Sequence, residues 1–143
     1  MNVKIIAFSL LFSVVSLGQC VKCNTWSEAE KEPTKVISLI INPVKSDELP
    51  EEIPASIAAF VNVEELFLTD LNLKSIPKEI GKLTKLKSLS LAGNELETLP
   101  EEIFELKNLK ELILFSNAFS EDYAAQLREK VKEKLPGTKL MMD

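Results

Sequence analysis

Three stretches of this chain repeat one pattern at a constant step of 23 residues: Val63-Glu64-Glu65-Leu66-Phe67-Leu68, Leu86-Lys87-Ser88-Leu89-Ser90-Leu91 and Leu109-Lys110-Glu111-Leu112-Ile113-Leu114. With the first residue counted as zero, apolar side chains fall at offsets 0, 3 and 5 each time, and Asn94 and Asn117 both fall at offset 8. A period of this length marks a stacked array of small units, none of which can bury its apolar stripe alone. A looser first copy begins at Val36, with Leu39 and Ile41 at offsets 3 and 5. In it Val44 stands where the asparagine would be, and Leu49-Pro50 matches Ile76-Pro77 and Leu99-Pro100. Four extra residues around Pro54 to Phe60 lengthen this copy to 27.

Each unit divides into two halves. Lys87 to Leu91 alternates faces at period 2, as a short strand does, with Leu86, Leu89 and Leu91 inward and Lys87, Ser88 and Ser90 outward. From Leu99 the spacing changes: Leu99, Ile103 and Leu106 lie at i, i+4 and i+7, on one face of a short helix. Pro100 suits the first helical position, where no amide donor is needed, and Glu101 and Glu102 meet the positive end of the helix dipole. Ile76 to Leu83 repeats the scheme. Ser120 then reads as the N-cap of a longer helix, with Tyr123, Leu127 and Val131 on one face and Pro136-Gly137 as its stop. Thr138 to Met142 is a candidate last strand, with Leu140 and Met142 inward.

Composition excludes several classes of function. The 143 residues give room for one modest domain, and 45% of them are hydrophobic, enough for a core. With 22 acidic against 17 basic residues, the chain lacks the clustered positive charge that nucleic acid requires. It has no histidine, which removes the commonest general base and the commonest metal ligand. The carboxylate pairs Glu51-Glu52 and Glu101-Glu102 are sequence neighbours and do not converge across a cleft as acid–base pairs must. No enzymatic activity and no cofactor are expected.

The N-terminus carries address information. Lys4 precedes an apolar run from Ile5 to Val15, and Ser16-Leu17-Gly18 ends it with small residues placed for a cut after Gly18. Residues 1–18 read as a signal peptide, too short for a membrane span. The expected location is therefore outside the cytoplasm: secreted, periplasmic or associated with the cell envelope. Residues 19–35 form a polar lead-in holding Cys20 and Cys23. Three readings of these cysteines stand open. Leu17-Gly18-Gln19-Cys20 is similar to a lipobox, although Gln19 departs from the small residue expected there. A local disulfide suits an oxidising compartment. The C-x-x-C spacing also matches redox and metal motifs, but two ligands cannot close a tetrahedral zinc site.

The pattern L-x-x-L-x-L-x-x-N-x-L-x-x-L-P, whole from Leu86 to Pro100 and partial from Val36, Val63 and Leu109, resembles leucine-rich repeats of the typical 23-residue kind found in exported bacterial proteins and in some intracellular signalling proteins. The resemblance spans about residues 36–142. It implies an α/β fold: a right-handed solenoid with a parallel β-sheet on its concave face, short helices on its convex face and a C-terminal helical cap. The units are then 36–62, 63–85, 86–108 and 109–119 onward, with the cap helix and last strand over 120–143. It also implies recognition of a protein partner and transfers no catalytic residue.

In such a solenoid the outward strand residues line the concave face. The offset-4 column is then Ile40, Phe67, Ser90 and Ile113, with Met141 next, and the offset-6 column is Asn42, Thr69, Ala92 and Phe115. Ile40, Phe67, Thr69, Ser90, Ile113 and Phe115 are the candidate partner-binding residues, since apolar surface and aromatic anchors mark interaction sites. Against this, Phe115 could fold under the C-terminal helix and Phe67 could pack along the sheet. Glu64, Glu65, Asp70 and Glu111 would rim the face near Lys87 and Lys110. Asn94 and Asn117 are read as a structural ladder satisfying backbone groups where the chain leaves each strand. An alternative role is structural or adhesive, in a protein held at the envelope by lipid on Cys20, its one route to a membrane.

Overall fold

The computed structural model describes residues 21–43 and 52–143. The leader over 1–18, Cys20, Val44 and Leu49-Pro50 lie outside the described residues. Six short strands run in chain order: β1 (Lys22–Cys23), β2 (Ser38–Ile41), β3 (Glu65–Leu68), β4 (Ser88–Ser90), β5 (Glu111–Ile113) and β6 (Lys139–Met141). They form one sheet in the order β1-β2-β3-β4-β5-β6, and every pair is parallel. Parallel neighbours need crossovers, and here each crossover completes one turn of the solenoid.

Register follows the 23-residue step across β3, β4 and β5, and the outer strands join the same rows at other spacings. Cys23, Leu39, Leu66, Leu89, Leu112 and Leu140 are successive partners across the sheet. They form one inward spine, buried to 1% exposure or less from Cys23 through Leu112. Ile41, Leu68, Leu91 and Leu114 run beside it, equally buried. At about 1.5–3 kcal/mol per buried Leu or Ile, this shared interior is the main source of stability.

The return segments are 3-10 turns rather than α-helical ones: Ala55–Ala59, Lys78–Lys82 and Glu101–Glu105. Pro54, Pro77 and Pro100 precede them in extended conformation, so Pro100 stands one place ahead of the first helical residue. The tighter winding has a cause. At three residues per turn, residues i and i+3 eclipse, which puts Ile80 above Leu83 and Ile103 above Leu106, all fully buried. The turns at Ala55, Lys78 and Glu101 keep the 23-residue step. The extra length of the first copy therefore lies between Ile41 and Pro54, not around Pro54 to Phe60, and Ile53-Pro54 is the true counterpart of Ile76-Pro77. Successive turns touch closely: a Cβ on Gly81 would stand 2.7 Å from the Glu102 carbonyl oxygen.

Both ends of the stack are closed. The lead-in is itself folded: it supplies β1 and a helical turn, α1 (Trp26–Ala29), capped by Thr25, whose Oγ1 accepts from the Glu28 amide. Trp26 meets Phe60 edge-on, with ring centroids 5.4 Å apart. At the other end α2 (Glu121–Lys134) starts at Ser120, whose Oγ accepts from the Tyr123 amide, and buries Ala124, Leu127 and Val131. The Leu99 amide donates to Tyr123 Oη at 2.7 Å, pinning the helix to the repeat below. Lys130 covers the Phe104 ring, 5.9 Å from its centroid.

Where the chain leaves β3, β4 and β5 it turns left-handed. Asp70, Gly93 and Ser116 share offset 7 and have φ of 58°, 69° and 55°. The asparagines then take over. Asn94 Oδ1 accepts from the Leu71 and Leu73 amides, while its Nδ2 donates to the Leu68 and Leu91 carbonyls. Asn117 bonds the Leu96 amide and the Leu91 and Leu114 carbonyls one rung on.

Substitutions at this corner should differ in cost from rung to rung. Asn94→Ala strands two amides, one of them buried, and should cost about 2–5 kcal/mol in urea unfolding; Asn117→Ala, with one amide on a half-exposed rung, should cost about half as much. Gly93→Ala should cost at least about 1–2 kcal/mol, because of its positive φ and because its Cβ would collide with Asp70 Oδ1, whereas Ser116→Gly should be neutral or gain about 0.5 kcal/mol. Equal effects at paired sites would show that these turns do not carry the strain assigned to them.

Candidate functional site

The outer face of the sheet is built by the same register that builds the core. One row runs Lys22, Ser38, Glu65, Ser88, Glu111, Lys139. The next runs Ile40, Phe67, Ser90, Ile113, Met141. A third continues beyond the strands through Asn42, Thr69, Ala92 and Phe115, where the Asp70 amide donates to the Ala92 carbonyl and the Gly93 amide to the Phe115 carbonyl. The structure thus brings Ile40, Phe67, Ser90 and Ile113 into one line, with Thr69 and Phe115 in the adjoining line.

Exposure differs along the rows. Phe115 is 40% exposed and is not tucked under α2. Ile40, Phe67, Ile113, Met141 and Thr69 are half-buried. Ser90, expected to face a partner, is only 4% exposed, because it is the one small side chain in a row of large ones. It lies at the floor of the face rather than on its surface.

The charges on this face are partly engaged. Lys87 pairs with Glu64 at 2.7 Å, and both are substantially exposed, so the pair adds little stability. Ser88 Oγ donates to Glu111 Oε2 at 3.2 Å. Glu65 and Glu111 are exposed and take part in no ion pair among the described residues. The side-chain hydrogen bond from Lys134 holds Glu133 below its ordinary carboxylate range, but that pair is exposed on α2, off the sheet. Among the described residues no three His, Cys, Asp or Glu side chains converge as metal ligands, and no helix is long and apolar enough to cross a membrane.

Some contributors have only a faint mark in the sequence. Asn62 Nδ2 donates to the Thr34 carbonyl and Asn108 Nδ2 to the Thr84 carbonyl, each at 2.7 Å, tying one unit to the one before. Lys85 Nζ, at the equivalent place between them, donates to Asn62 Oδ1. All three lie just before the first apolar residue of a unit, so the 23-residue step alone points to them. Cys23 is buried in the spine and disulfide-bonded, a role that no periodicity announces.

Comparison with known proteins agrees with this geometry. The family model described as "Leucine rich repeat" matches residues 61–119. Among solved structures, a leucine-rich-repeat protein of Leptospira interrogans is 36% identical, covers 73% of this chain and superposes with a TM-score of 0.54. The chain spans 24% of the length of that structure. No curated protein matches the chain. Repeat, register and structural likeness coincide: the chain is a leucine-rich-repeat protein.

Proposed function

We propose that the protein is an exported, non-catalytic recognition module that binds a protein partner through the outer face of its sheet. Leucine-rich-repeat domains commonly bind proteins and are generally non-catalytic. The observation that carries the reading is the exposed Phe115 beside the aligned Phe67 and Ile113. Aromatic and branched apolar side chains held on a rigid sheet, in water, are what an interface centre uses. Thr69 and Ile40 extend the same face.

Export is supported by the leader-like residues 1–18 and by the bonded state of Cys23. Disulfides persist in oxidising compartments. The lipid-anchored alternative requires a Cys20 thiol. In a chain with two cysteines, a disulfide formed between them would leave none for acylation. Mass spectrometry of the mature protein should find a chain starting at Gln19 and lighter than its reduced form by two hydrogens. An acylated N-terminal Cys20 would instead make the protein an envelope anchor.

The binding face is tested by Phe67→Ala combined with Phe115→Ala. Neither side chain is part of the closed core, so each change should cost less than about 1.5 kcal/mol and leave the circular dichroism intact. The double variant should lose at least about 90% of the partner recovered by affinity capture from envelope and medium, a loss of roughly 1.4 kcal/mol or more. Undiminished capture by the folded variant would move the site elsewhere.

A further inference from the structure

The sheet ends in an open edge. Among the described residues β6 has β5 as its neighbour on one side and no strand on the other. The Lys139 amide donates to the Lys110 carbonyl, and the Met141 carbonyl accepts from the Leu114 amide. Peptide groups alternate in direction along a strand, so the N–H and C=O of Leu140, between these two, point away from β5 to the free edge. Beside that edge a groove of about 330 Å³ lies between α2 and the chain from Thr138 to Met142, with Arg128 and Lys132 on the helix side and Val131 and Leu135 beneath. Val131 and Leu135 are already sealed at 3% exposure, whereas Leu140, Met141 and Met142 are half-buried. The end of the stack therefore leaves the rim of β6 uncovered, not the interior.

Charge decides what can cover this rim. The groove is lined by two cations and no acid. Arg128 is held by the main-chain oxygen of Asp143, while Lys132 and Lys139 are exposed and take part in no ion pair among the described residues. Lysine on an edge strand guards against indiscriminate pairing. It also disfavours a second copy. Continued in register, a copy would set its Lys22 opposite Lys139, since both belong to the row Lys22, Ser38, Glu65, Ser88, Glu111, Lys139, and like charges directly opposite repel. Two β6 edges meeting would bring two cationic grooves together. A strand with a carboxylate opposite Lys139 meets neither objection.

We propose that the free edge of β6 accepts an extended acidic segment of a partner protein as a seventh strand. The backbone of that segment pairs with the Leu140 N–H and C=O, and an apolar side chain covers Leu140 beside the stems of Arg128 and Lys132. One carboxylate faces Lys139 and another lies toward Lys132. In strand addition the main-chain bonds supply affinity and the alternate side chains supply selection. The site lies at the end of the solenoid and uses neither Phe67 nor Phe115, so it stands apart from the binding face proposed above.

The probe is a displayed library of random dodecapeptides, panned against the full chain carrying Phe67→Ala and Phe115→Ala so that binders of the outer face are not recovered. Recovered peptides should carry acidic residues alternating with apolar ones. Once synthesised, they should protect the Leu140 amide from hydrogen exchange. Lys132→Glu with Lys139→Glu should weaken their binding about tenfold or more; both side chains are exposed, so folding is not at stake. A library that yields no acidic binder, or binders indifferent to the lysine pair, would overturn the proposal. Binders that leave the Leu140 amide unprotected would overturn strand addition. Self-association of the chain that these peptides displace would overturn it in favour of a second copy. None of these outcomes bears on capture through Phe67 and Phe115.

Discussion

No unit of this chain can cover its own leucines, and the whole structure depends on that shortage. Leu66, Leu89 and Leu112 are fully buried only because each lies between neighbours at the same height of the sheet. A slip of one residue in any pairing would turn a whole row from interior to surface. The penalty is large, because several Leu or Ile side chains per unit would be exposed together, each at about 1.5–3 kcal/mol. Asn94 adds a polar check on the same register. Its amide binds backbone from two successive units, so it is satisfied only when these stand in step.

Stacking also demands ends that do not resemble the middle. Ala58, Gly81 and Phe104 occupy equivalent places on the return turns. At Gly81 the next turn is so near that even a methyl group would strike the Glu102 backbone. Phe104 therefore leaves no room for another turn of the same geometry. The chain continues instead into α2, set so that Lys130 lies over the ring and Tyr123 reaches the backbone at Leu99. Phe119 occupies the place held by Leu73 and Leu96 in earlier units and stacks on Tyr123 at 5.5 Å. The first end is closed by another device, an aromatic pair between Trp26 and Phe60.

The strands were legible because their period is 2 and their step is constant, and the inward leucines announce both. The return turns were legible in place but not in kind. Spacings of three and four mix there, and packing of Ile80 over Leu83 selects the tighter winding. Leu49-Pro50 misled because a dipeptide carries too little information. Two leucine- or isoleucine-proline pairs fit the first unit, and only the contact between successive turns chooses Ile53-Pro54. The lead-in read as polar because Glu28, Glu30, Lys31, Glu32 and Lys35 dominate it, yet three well-spaced side chains, Cys23, Trp26 and Ala29, are enough to close the stack. On the outer face the rows were legible, but the depth of Ser90 was not. Depth depends on what stands on the two neighbouring strands, and a single strand's sequence does not contain that.

The interior and the outer face obey different constraints. Inside, every unit must present nearly the same residues, since each is the ceiling of one neighbour and the floor of another. Outside, no such rule holds, and the strand sequences diverge: Glu65-Leu66-Phe67, Ser88-Leu89-Ser90 and Glu111-Leu112-Ile113 share their inward leucine and little else. Variation confined to one face of an otherwise uniform array gives that face its shape. Phe67, Ser90 and Ile113 then stand at a spacing set by the strands rather than by side-chain packing, on a backbone that the leucine spine prevents from shifting. A face fixed in this way loses little ordering entropy when it is covered, which is the condition under which a few outward side chains can carry recognition.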